Sequence, residues 1–382
     1  MKDRSWKRRF FVGLLGLLSL YLLWFGSLLL RHRPGRETPP GTPFPNEALG
    51  VYHVHTTFSD GRKSLEKVAA AASRQGLDFL ILTDHGNPNR ASLAGQGWKE
   101  NVLVLAGSEL SVSRGHLVAL DFKIPESDFA RNAEEAVLEV VAAGGFTVIA
   151  HPFSKTRWSW GGSAAFDGIE VVTADSMVRK NILRAIPYLP TLIFSPRIFL
   201  LKALDRPAQS LKKWDQLGAA RAVYGYFSTD AHLAYKALFS YFGVHALLES
   251  PLARDFEQAK SQVFSALRRG SFYCAVDAAR PAGGLSFWAE FRGGRFPMGS
   301  TISRNPSSRV EFRSQAPFPF PVQTRLLRNG EVIQSVEGTK IAFLSEKPGV
   351  YRLEIYLRGG SFLARDFPWI ISNPIYIREA GS

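Results

Sequence analysis

Residues 50–55 read GVYHVH and residues 78–85 read DFLILTDH, and these two stretches decide the fold class. Each is a short apolar run without steady apolar/polar alternation, which is typical of a strand buried on both faces of a parallel sheet. Five similar runs follow, namely NVLVLAGSE, GHLVAL, FTVIAHP, DGIEVV and AVYGYFSTDAH. Helical patterns such as SLEKVAAAASRQG separate some of them. Strands that alternate with helices in this way predict an α/β fold, and seven runs favour a barrel.

Histidines concentrate in these runs. The chain has eight, and six of them lie in or at the ends of the strand-like segments: His53, His55, His85, His116, His151 and His232. The accompanying carboxylates are Asp60, Asp84, Glu109 and Asp230. A lone histidine at a strand end is more often structural than functional. The carboxyl ends of barrel strands, however, converge on one mouth, so residues far apart in sequence can meet there. The whole set therefore predicts a metal centre, with the rings of His53 and His55 on one face of their strand.

The same residues resemble a known family. His53-x-His55, Ser59-Asp60-Gly61, Thr83-Asp84-His85, Gly107-x-Glu109, Gly115-His116, Ala150-His151-Pro152 and Ser228-Thr229-Asp230-Ala231-His232 are similar in order and spacing to the motifs of the PHP (polymerase and histidinol phosphatase) family. The resemblance covers about residues 50–280. It implies a distorted seven-stranded (βα) PHP barrel with a trinuclear metal site. The implied ligands are His53, His55, Asp60, His85, Glu109, His116, His151, Asp230 and His232.

Two residues have particular expected roles within that resemblance. Glu109 is expected to bridge two ions. Asp84 belongs to the motif without being an expected ligand, so we predict that it orients ligands or, alternatively, acts in catalysis as a proton donor.

Ligand chemistry indicates the reaction class. Nitrogen and oxygen donors without thiolate suit manganese, zinc or iron, and the resemblance implies two to three such ions. A hydroxide bridging two such ions can attack phosphorus or an acyl carbon, so we expect a metal-dependent hydrolase, foremost a phosphoesterase on small molecules. A carbamate or carboxyl-ester hydrolase and a non-catalytic metal-binding envelope protein are the alternatives. Arg157 and Arg179 are candidate contacts for an anionic substrate.

The N-terminal segment predicts a membrane anchor. Residues 10–30 contain no charge and would span about 31 Å as a helix, enough to cross a bilayer. Five basic residues precede this run and three follow it closely. That excess predicts that residues 1–9 lie in the cytoplasm and the catalytic region outside, on a single-pass inner-membrane protein. Together, residues 1–36 carry half of the chain's net charge of +14. A cleaved signal peptide is the alternative. Because half of the excess charge lies beside the apolar run, nucleic acid is not an expected partner.

The remaining segments complete the predicted organisation. Residues 31–49 contain five prolines and form a linker, and residues 50–283 form the hydrolase domain. The proline-interrupted apolar stretch 186–204 is expected to be a lid or a membrane-facing flap. Period-two alternation from residue 284 to 382, with a turn at Asn329-Gly330, predicts a small all-β, sandwich-like domain. Its tail, FPWIISNPIYI, resembles the segment that follows the barrel in PHP proteins of the carbaryl-hydrolase-like subgroup. A single cysteine, Cys274, excludes an intramolecular disulfide.

Overall fold

The computed structural model describes residues 2–31, 46–154, 157–161, 165–359, 363–364 and 366–380. Most of the predicted linker, residues 32–45, therefore lies outside the described residues. The helices are α1 (Lys2–Arg31), α2 (Leu65–Ser73), α3 (Arg90–Ala94), α4 (Ala133–Ala142), α5 (Ala174–Lys180), α6 (Ile182–Ala185), α7 (Thr191–Phe194), α8 (Pro196–Ala203), α9 (Ala208–Ala220), α10 (Tyr235–Leu238) and α11 (Phe256–Arg268), with a 3₁₀ turn at Ile186–Tyr188.

Strands from the central region alternate with these helices. They are β1 (Glu47–Val54), β2 (Phe79–Leu82), β3 (Gly97–Lys99), β4 (Val102–Ala106), β5 (Ser108–Val112), β6 (Gly115–Leu120), β7 (Phe146–Ile149), β8 (Gly168–Thr173), β9 (Tyr224–Ser228), β10 (Gly243–Leu247) and β11 (Phe272–Ala275). Every one of the seven apolar runs contains a strand, and most positions in these strands are buried. The α/β class is therefore confirmed.

The central strands form two sheets rather than one parallel set. Strands β1, β2 and β4 pair in parallel in the first sheet, while β7, β8 and β9 pair in parallel in the second. Strands β5, β6 and β7 pair antiparallel, contrary to the parallel arrangement that their apolar character predicted. Only Ser113 and Arg114 separate β5 from β6. A two-residue connection can join antiparallel strands, whereas parallel neighbours need a crossover of a dozen residues or more.

Two isolated bridges connect the sheets. His85, just after β2, pairs with Glu109 in β5, and Val54 at the end of β1 pairs with Ala231, just after β9. Both bridges lie at strand ends that carry predicted metal ligands. The contacts that join the two sheets therefore also bring the two halves of the site together.

The described part of the C-terminal region contains ten strands, six of which continue the first sheet. They are β12 (Ser286–Phe291), β13 (Gly294–Pro297), β14 (Thr301–Arg304), β15 (Val310–Gln315), β16 (Val322–Arg328), β17 (Glu331–Glu337), β18 (Ile341–Ser345), β19 (Gly349–Leu357), β20 (Ile370–Ser372) and β21 (Ile375–Glu379). Strand β20 pairs with β11, so β19 and β21 belong to the same twelve-stranded sheet as β1. A four-stranded sheet, β13-β12-β15-β18, packs on this extension, with the rings of Phe312 and Tyr351 stacked at 4.0 Å.

The last residues of the chain reach back to the strand that precedes Asp230. The side-chain oxygen of Asn373 accepts a hydrogen bond from the amide of Gly225 at 2.8 Å, and the Tyr376 hydroxyl accepts one from the amide of Val223 at 2.9 Å. The predicted boundary at residue 283 thus lies between two regions that share a sheet and buried hydrogen bonds. The independence of residues 284–382 stays a prediction.

Among the described residues, one helix is long and apolar enough to cross a membrane. It is α1, whose apolar part runs from Trp6 to Leu30. A signal sequence near the N-terminus would have the same length and composition, so the helix is a candidate for either role. The stretch 186–204 forms short helices, as its prolines predict, with Pro190 directly before α7 and Pro196 as the first residue of α8.

A buried ionic cluster lies outside the predicted metal site. His245 in β10 contacts Glu47 through Nδ1 at 2.6 Å and Asp277 through Nε2 at 3.2 Å, and the Tyr273 hydroxyl donates to Glu47 at 2.7 Å. Burial lowers the pKa of His245, but the attraction of Asp277 and Glu47 outweighs it and raises this pKa to about 10. The cluster therefore holds an imidazolium between two carboxylates.

We expect this cluster to make the folded state less stable as the pH rises into the alkaline range. A pKa raised in the folded state contributes stability that is complete below the unfolded value of about 6.5 and is lost as the pH rises through about 10. Thermal unfolding of the parent should therefore shift to lower temperature between about pH 7 and pH 10. His245→Gln should unfold earlier at pH 7 and should show a flatter profile. Parallel profiles for the two proteins would refute this role.

Candidate metal centre

The first predicted ligands lie where β1 ends. The register between β1 and β2 shifts at Tyr52 and Val54, so His53 lies in a bulge with a left-handed backbone (φ 67°). The Nε2 atoms of His53 and His55 are 3.1 Å apart. The two rings therefore converge, as their spacing predicted, although through a bulge rather than a regular strand.

Left-handed backbone recurs at two more predicted ligands. His151 has φ 27° and Asp230 has φ 46°, each just after the strand that positions it. For a residue with a side chain, such a conformation costs on the order of 1–3 kcal/mol and persists where the surrounding structure enforces it. Three of the predicted ligands therefore have this costly backbone conformation.

Glu109 in β5 lies at the centre of the site and is nearly fully buried. Five imidazoles have a nitrogen within 3.3 Å of its carboxylate, two of them at Oε1 and three at Oε2. Oε1 lies 2.7 Å from His116 Nδ1 and 2.9 Å from His151 Nε2. Oε2 lies 3.2 Å from the Nε2 atoms of both His53 and His55 and 3.3 Å from His85 Nδ1. A carboxylate with two separate groups of neighbours has the geometry needed to join two cation positions.

Two aspartates that lie far apart in sequence complete the cluster. Asp230 Oδ1 lies 3.5 Å from His53 Nε2 and 3.4 Å from His55 Nε2. Asp60 Oδ2 lies 3.2 Å from His232 Nε2 and 3.8 Å from His85 Nε2. Donor atoms within 4.8 Å of one another form four overlapping groups: His55-Asp60-His85-His232, His53-His55-Asp230, His53-Glu109-His151 and His85-Glu109-His116. All nine predicted ligands occur in these groups.

The hydrogen bonds of two histidines show which ring nitrogens carry protons and which are free to bind a cation. His232 Nδ1 lies 3.0 Å from the carbonyl oxygen of Asp230, and His53 Nδ1 lies 2.5 Å from Glu170 Oε1. A carbonyl and a carboxylate both accept, so these nitrogens carry the protons. In the neutral rings, the Nε2 lone pairs then face other acceptors, namely Asp60 for His232 and Glu109 for His53. Outer acceptors commonly fix metal-binding histidines in this way, and the cluster fits divalent ions.

An unpartnered nitrogen supports the same fit. His85 Nδ1 is buried and forms no hydrogen bond with a described residue, although Glu109 Oε2 is 3.3 Å away. Burial, the largest influence, lowers the pKa of His85 and so favours the neutral ring that a metal requires.

The carboxylates are held in the charged form. Burial raises the pKa of Glu109, but His53 and hydrogen bonds from His116 and His151 outweigh it and hold this pKa well below its usual range. Burial likewise opposes ionisation of Asp230, and His53 and His55 keep its pKa low. Conversely, burial lowers the pKa of His53, but its carboxylate neighbours raise it well above normal. A proton and a metal ion would compete for that ring.

Asp84 is buried without touching the imidazoles. Its Oδ1 accepts from the Thr56 amide at 2.6 Å and from Ser59 Oγ at 2.7 Å, while Oδ2 accepts from Thr56 Oγ1 at 2.9 Å. These bonds hold the loop that carries Asp60. The two alternative roles of Asp84, orienting ligands or donating a proton, stay predictions.

Sequence analysis missed Glu170, a buried carboxylate in β8. Its Oε1 accepts from His53, and its Oε2 accepts from the amide of His151 at 2.8 Å and from Thr173 Oγ1 at 3.1 Å. It therefore orients two predicted ligands from different strands. A sequence signal was present, because Glu170 lies in the middle of the apolar run DGIEVV, whose other charged residue, Asp167, precedes the strand. A charge in a strand buried on both faces needs a partner.

We expect Glu170→Gln to weaken metal binding while the fold survives. The NH₂ group of the glutamine side chain would face either the His53 ring N–H or the His151 backbone N–H, and two donors cannot form a hydrogen bond. Loss of such an outer partner typically costs 10–100-fold in metal affinity. The measurement is a metal-binding isotherm beside a thermal unfolding curve. Glu135→Gln, the same change at an exposed position of α4, should bind metal like the parent. Equal metal affinities in both variants would remove Glu170 from the site.

A cavity of about 840 Å³ opens over the cluster. Several predicted ligands line it, together with Arg179, Lys180 and Arg206. Arg179 is three-quarters exposed and its Nε pairs with Asp175 at 2.6 Å. Arg206 is engaged by Glu354 and by the Tyr356 hydroxyl. Arg157 is exposed and does not belong to the described lining, whereas Lys180, which was not predicted, does.

Comparison with known proteins agrees with the motifs. The family model of the PHP domain matches residues 52–149. The chain contains a PHP domain. Six predicted ligands lie within the match, and His151, Asp230 and His232 lie beyond it, where the fold returns them to the same cluster. The match does not distinguish PHP subgroups, so the likeness to carbaryl hydrolases stays a prediction.

Solved structures provide further likenesses to this PHP-containing chain. A two-domain protein from Bacteroides vulgatus, containing a predicted PHP-like metal-dependent phosphoesterase, is 15% identical, with a TM-score of 0.45 over 89% of this chain and 100% of the other. An amidohydrolase from Chromobacterium violaceum, with bound sulfate and no metal, is 18% identical, with a TM-score of 0.30 over 48% of this chain and 87% of the other. A candidate metal-dependent phosphoesterase from Bifidobacterium adolescentis is 15% identical, with a TM-score of 0.31 over 52% and 90%. No curated protein matches the chain.

Proposed function

We propose that the protein is a metal-dependent hydrolase that cleaves phosphoesters of small molecules at a trinuclear site. The observation that carries the proposal is the placement of Glu109, whose Oε1 contacts two imidazoles and whose Oε2 contacts three others. The nine predicted ligands would hold two to three divalent ions. Their nitrogen and oxygen donors suit manganese, zinc or iron.

The bound ions would supply a water of lowered pKa and positive charge for the developing negative charge. The protein's own residues would do the rest. Glu109 and Asp230 stay ionised and hold the cluster together, while Glu170 and the Asp230 carbonyl keep His53 and His232 in fixed tautomers. Cys274 is buried and burial raises its pKa, so it offers no nucleophile.

Cations around the cavity favour a phosphoester over a neutral ester. Arg179 and Lys180 line it beside the histidine cluster, and both belong to α5. A phosphate monoester brings two negative charges that these side chains would attract, whereas a carbamate or carboxyl ester brings none. The fold around the site also supports a barrel, since the bridges His85–Glu109 and Val54–Ala231 bring the two sheets together at two places.

Metal content and turnover test the proposal together. The parent should bind divalent metal and hydrolyse p-nitrophenyl phosphate faster than p-nitrophenyl acetate. Asp230→Asn should lose metal and activity with the fold retained, because a neutral amide is a poorer ligand. Asp128→Asn, the same change at an exposed site, should match the parent. Faster acetate cleavage would favour the ester hydrolase, and metal binding without either activity would favour the non-catalytic metal-binding protein.

For α1 we propose an uncleaved anchor with the catalytic region outside the cytoplasm. The support is its apolar length and the basic residues before it. A reporter active only outside the cytoplasm, fused after Ser382, should give signal in the membrane fraction. Signal from a cytoplasm-specific reporter would reverse the topology, and signal in the soluble extracytoplasmic fraction would indicate a cleaved signal sequence.

A further inference from the structure

Residues 182–204, which we call the apolar flap, expose an unusual amount of apolar surface. The flap comprises α6, the 3₁₀ turn, α7 and α8. Ile193 is 81% exposed, Leu183 79% and Phe194 66%. Ile186, Leu189 and Leu192 add further exposed apolar surface. Contiguous apolar patches of this kind on a protein surface mark contacts with membranes or partners.

The flap packs against the second half of α1. The Tyr21 hydroxyl donates to the Pro187 carbonyl at 3.0 Å, and the rings of Trp24 and Tyr188 are 5.4 Å apart. Phe25 and Leu28 are buried with Ile198 in a small core of their own. All three contacts involve the last ten or so residues of the apolar helix, a length of about 15 Å. If α1 spans a bilayer, that length lies within the leaflet nearest its carboxyl end.

The charge of the flap suits a lipid surface. Residues 182–204 include Arg184, Arg197 and Lys202 and no acidic residue. An apolar face flanked by basic side chains is the composition of segments that lie in a membrane interface, where anionic headgroups attract the cations.

The flap also borders the cavity of the metal centre. Lys180 and Asn181 line the cavity immediately before it, and Asp205 and Arg206 line the cavity immediately after it. The Asn181 side-chain amide donates to the Ala203 carbonyl at 2.9 Å and so closes the base of the flap. The exposed apolar side chains therefore begin within a few residues of the cavity wall. A flap in the bilayer would place the cavity beside the membrane surface.

We propose that the apolar flap inserts into the leaflet at the carboxyl end of α1, and that the substrate is a phosphomonoester carried by a membrane lipid. This inference rests on the proposed phosphoesterase function. In the reaction, a water oxygen bonds to phosphorus and the bond from phosphorus to the lipid oxygen breaks. The lipid leaves as an alcohol with a proton from that water, and inorganic phosphate is the other product. The acyl chains remain in the bilayer while the headgroup enters the cavity.

Insertion is tested without reference to activity. The full chain carrying Ile193→Cys is labelled with an environment-sensitive fluorophore and reconstituted into vesicles of phosphatidylcholine and phosphatidylglycerol. Cys274 is buried and should not react. Emission should shift to the blue and be quenched by lipids spin-labelled near the headgroup. Leu138→Cys on α4, also strongly exposed, is the control and should report water. A water-like signal from residue 193 would refute insertion.

Substrate class is tested with a matched pair of probes. Phosphatidic acid in phosphatidylcholine vesicles and glycerol 3-phosphate in solution share the phosphomonoester and differ in the acyl chains. The full-length parent should have a kcat/KM at least about tenfold higher for phosphatidic acid. The variant Ile193→Ser/Phe194→Ser should lose that advantage and retain turnover of glycerol 3-phosphate, while Leu138→Ser should match the parent.

Each other outcome has a separate meaning. Equal or faster turnover of glycerol 3-phosphate by the parent would overturn the lipid substrate and leave the phosphoesterase standing. Loss of both activities in the flap variant, with intact metal content, would show that the flap shapes the site and does not recruit lipid. A parent that hydrolyses no phosphoester, including p-nitrophenyl phosphate, would overturn the proposed function itself.

Discussion

Glu109→Gln should abolish hydrolysis and lower the metal content while the chain remains folded. Glu109 contacts five imidazoles within 3.3 Å, so the neutral amide would disturb every group of predicted ligands that meets there. Because loss of an outer partner of a ligand already costs 10–100-fold, loss of this carboxylate should reduce turnover by more than about 100-fold. The measurement combines metal content per chain, turnover of p-nitrophenyl phosphate and a circular dichroism spectrum.

Glu47→Gln provides the matched control for that experiment. Glu47 is also a buried glutamate that contacts a histidine, His245, but it lies in the ionic cluster outside the metal site. Its replacement should lower stability while metal content and the activity per folded molecule stay at the parent level. If both variants lose metal equally, the effect of Glu109→Gln would reflect general damage to the fold. If Glu109→Gln keeps full metal and activity, the proposed centre is wrong.

Of the substitutions proposed here, Arg352→Met should lower the free energy of unfolding most. Arg352 is buried in β19, where its Nε and Nη2 atoms bond to Asp215 of α9 at 3.0 and 2.9 Å and its Nη1 bonds to Glu354 at 2.6 Å. Methionine fills similar space but leaves the Asp215 carboxylate buried without that partner. Removing one member of a buried ion pair typically costs 3–5 kcal/mol. The expected drop in Tm is roughly 10 °C, measured in detergent by thermal unfolding.

The site of this change also tests how the two regions of the chain cooperate. Asp215 lies in the central region and Arg352 in the C-terminal region, which share a sheet through β11 and β20. A single unfolding transition in Arg352→Met would show that they unfold together. Two separate transitions would support residues 284–382 as an independent domain. Arg313→Met, at a half-exposed ion pair in β15, is the control and should shift Tm by only a few degrees.

Sequence analysis predicted the local parts of the fold well. Strands appear in all seven apolar runs, and α2 lies within the helical pattern that begins at Ser64. The alternating residues after 284 form strands, with Asn329 and Gly330 in the turn between β16 and β17. These features could be predicted because the spacing of apolar residues and turn-forming dipeptides acts within a few neighbours along the chain.

Sequence analysis also predicted which side chains meet. Six histidines with carboxylates at strand ends are too many to be explained singly, and the structure brings all nine predicted ligands into overlapping groups. It did not predict Glu170. That residue belongs to no motif, and its role depends on the approach of β8 to His53, which is 117 residues away in sequence.

The amino-acid sequence by itself determined the α/β class, the PHP motifs and the apolar helix α1, because each is encoded in residue types at short, regular spacing. Only the tertiary structure decided that β6 and β7 run antiparallel, that β20 joins the C-terminal strands to the first sheet, and that the apolar flap packs on α1. These arrangements depend on the free energy of contacts between residues far apart in sequence, such as Tyr21 and Pro187, which are 166 positions apart. No local pattern states which distant surface will bury a given side chain, so that choice is made only when the whole chain packs.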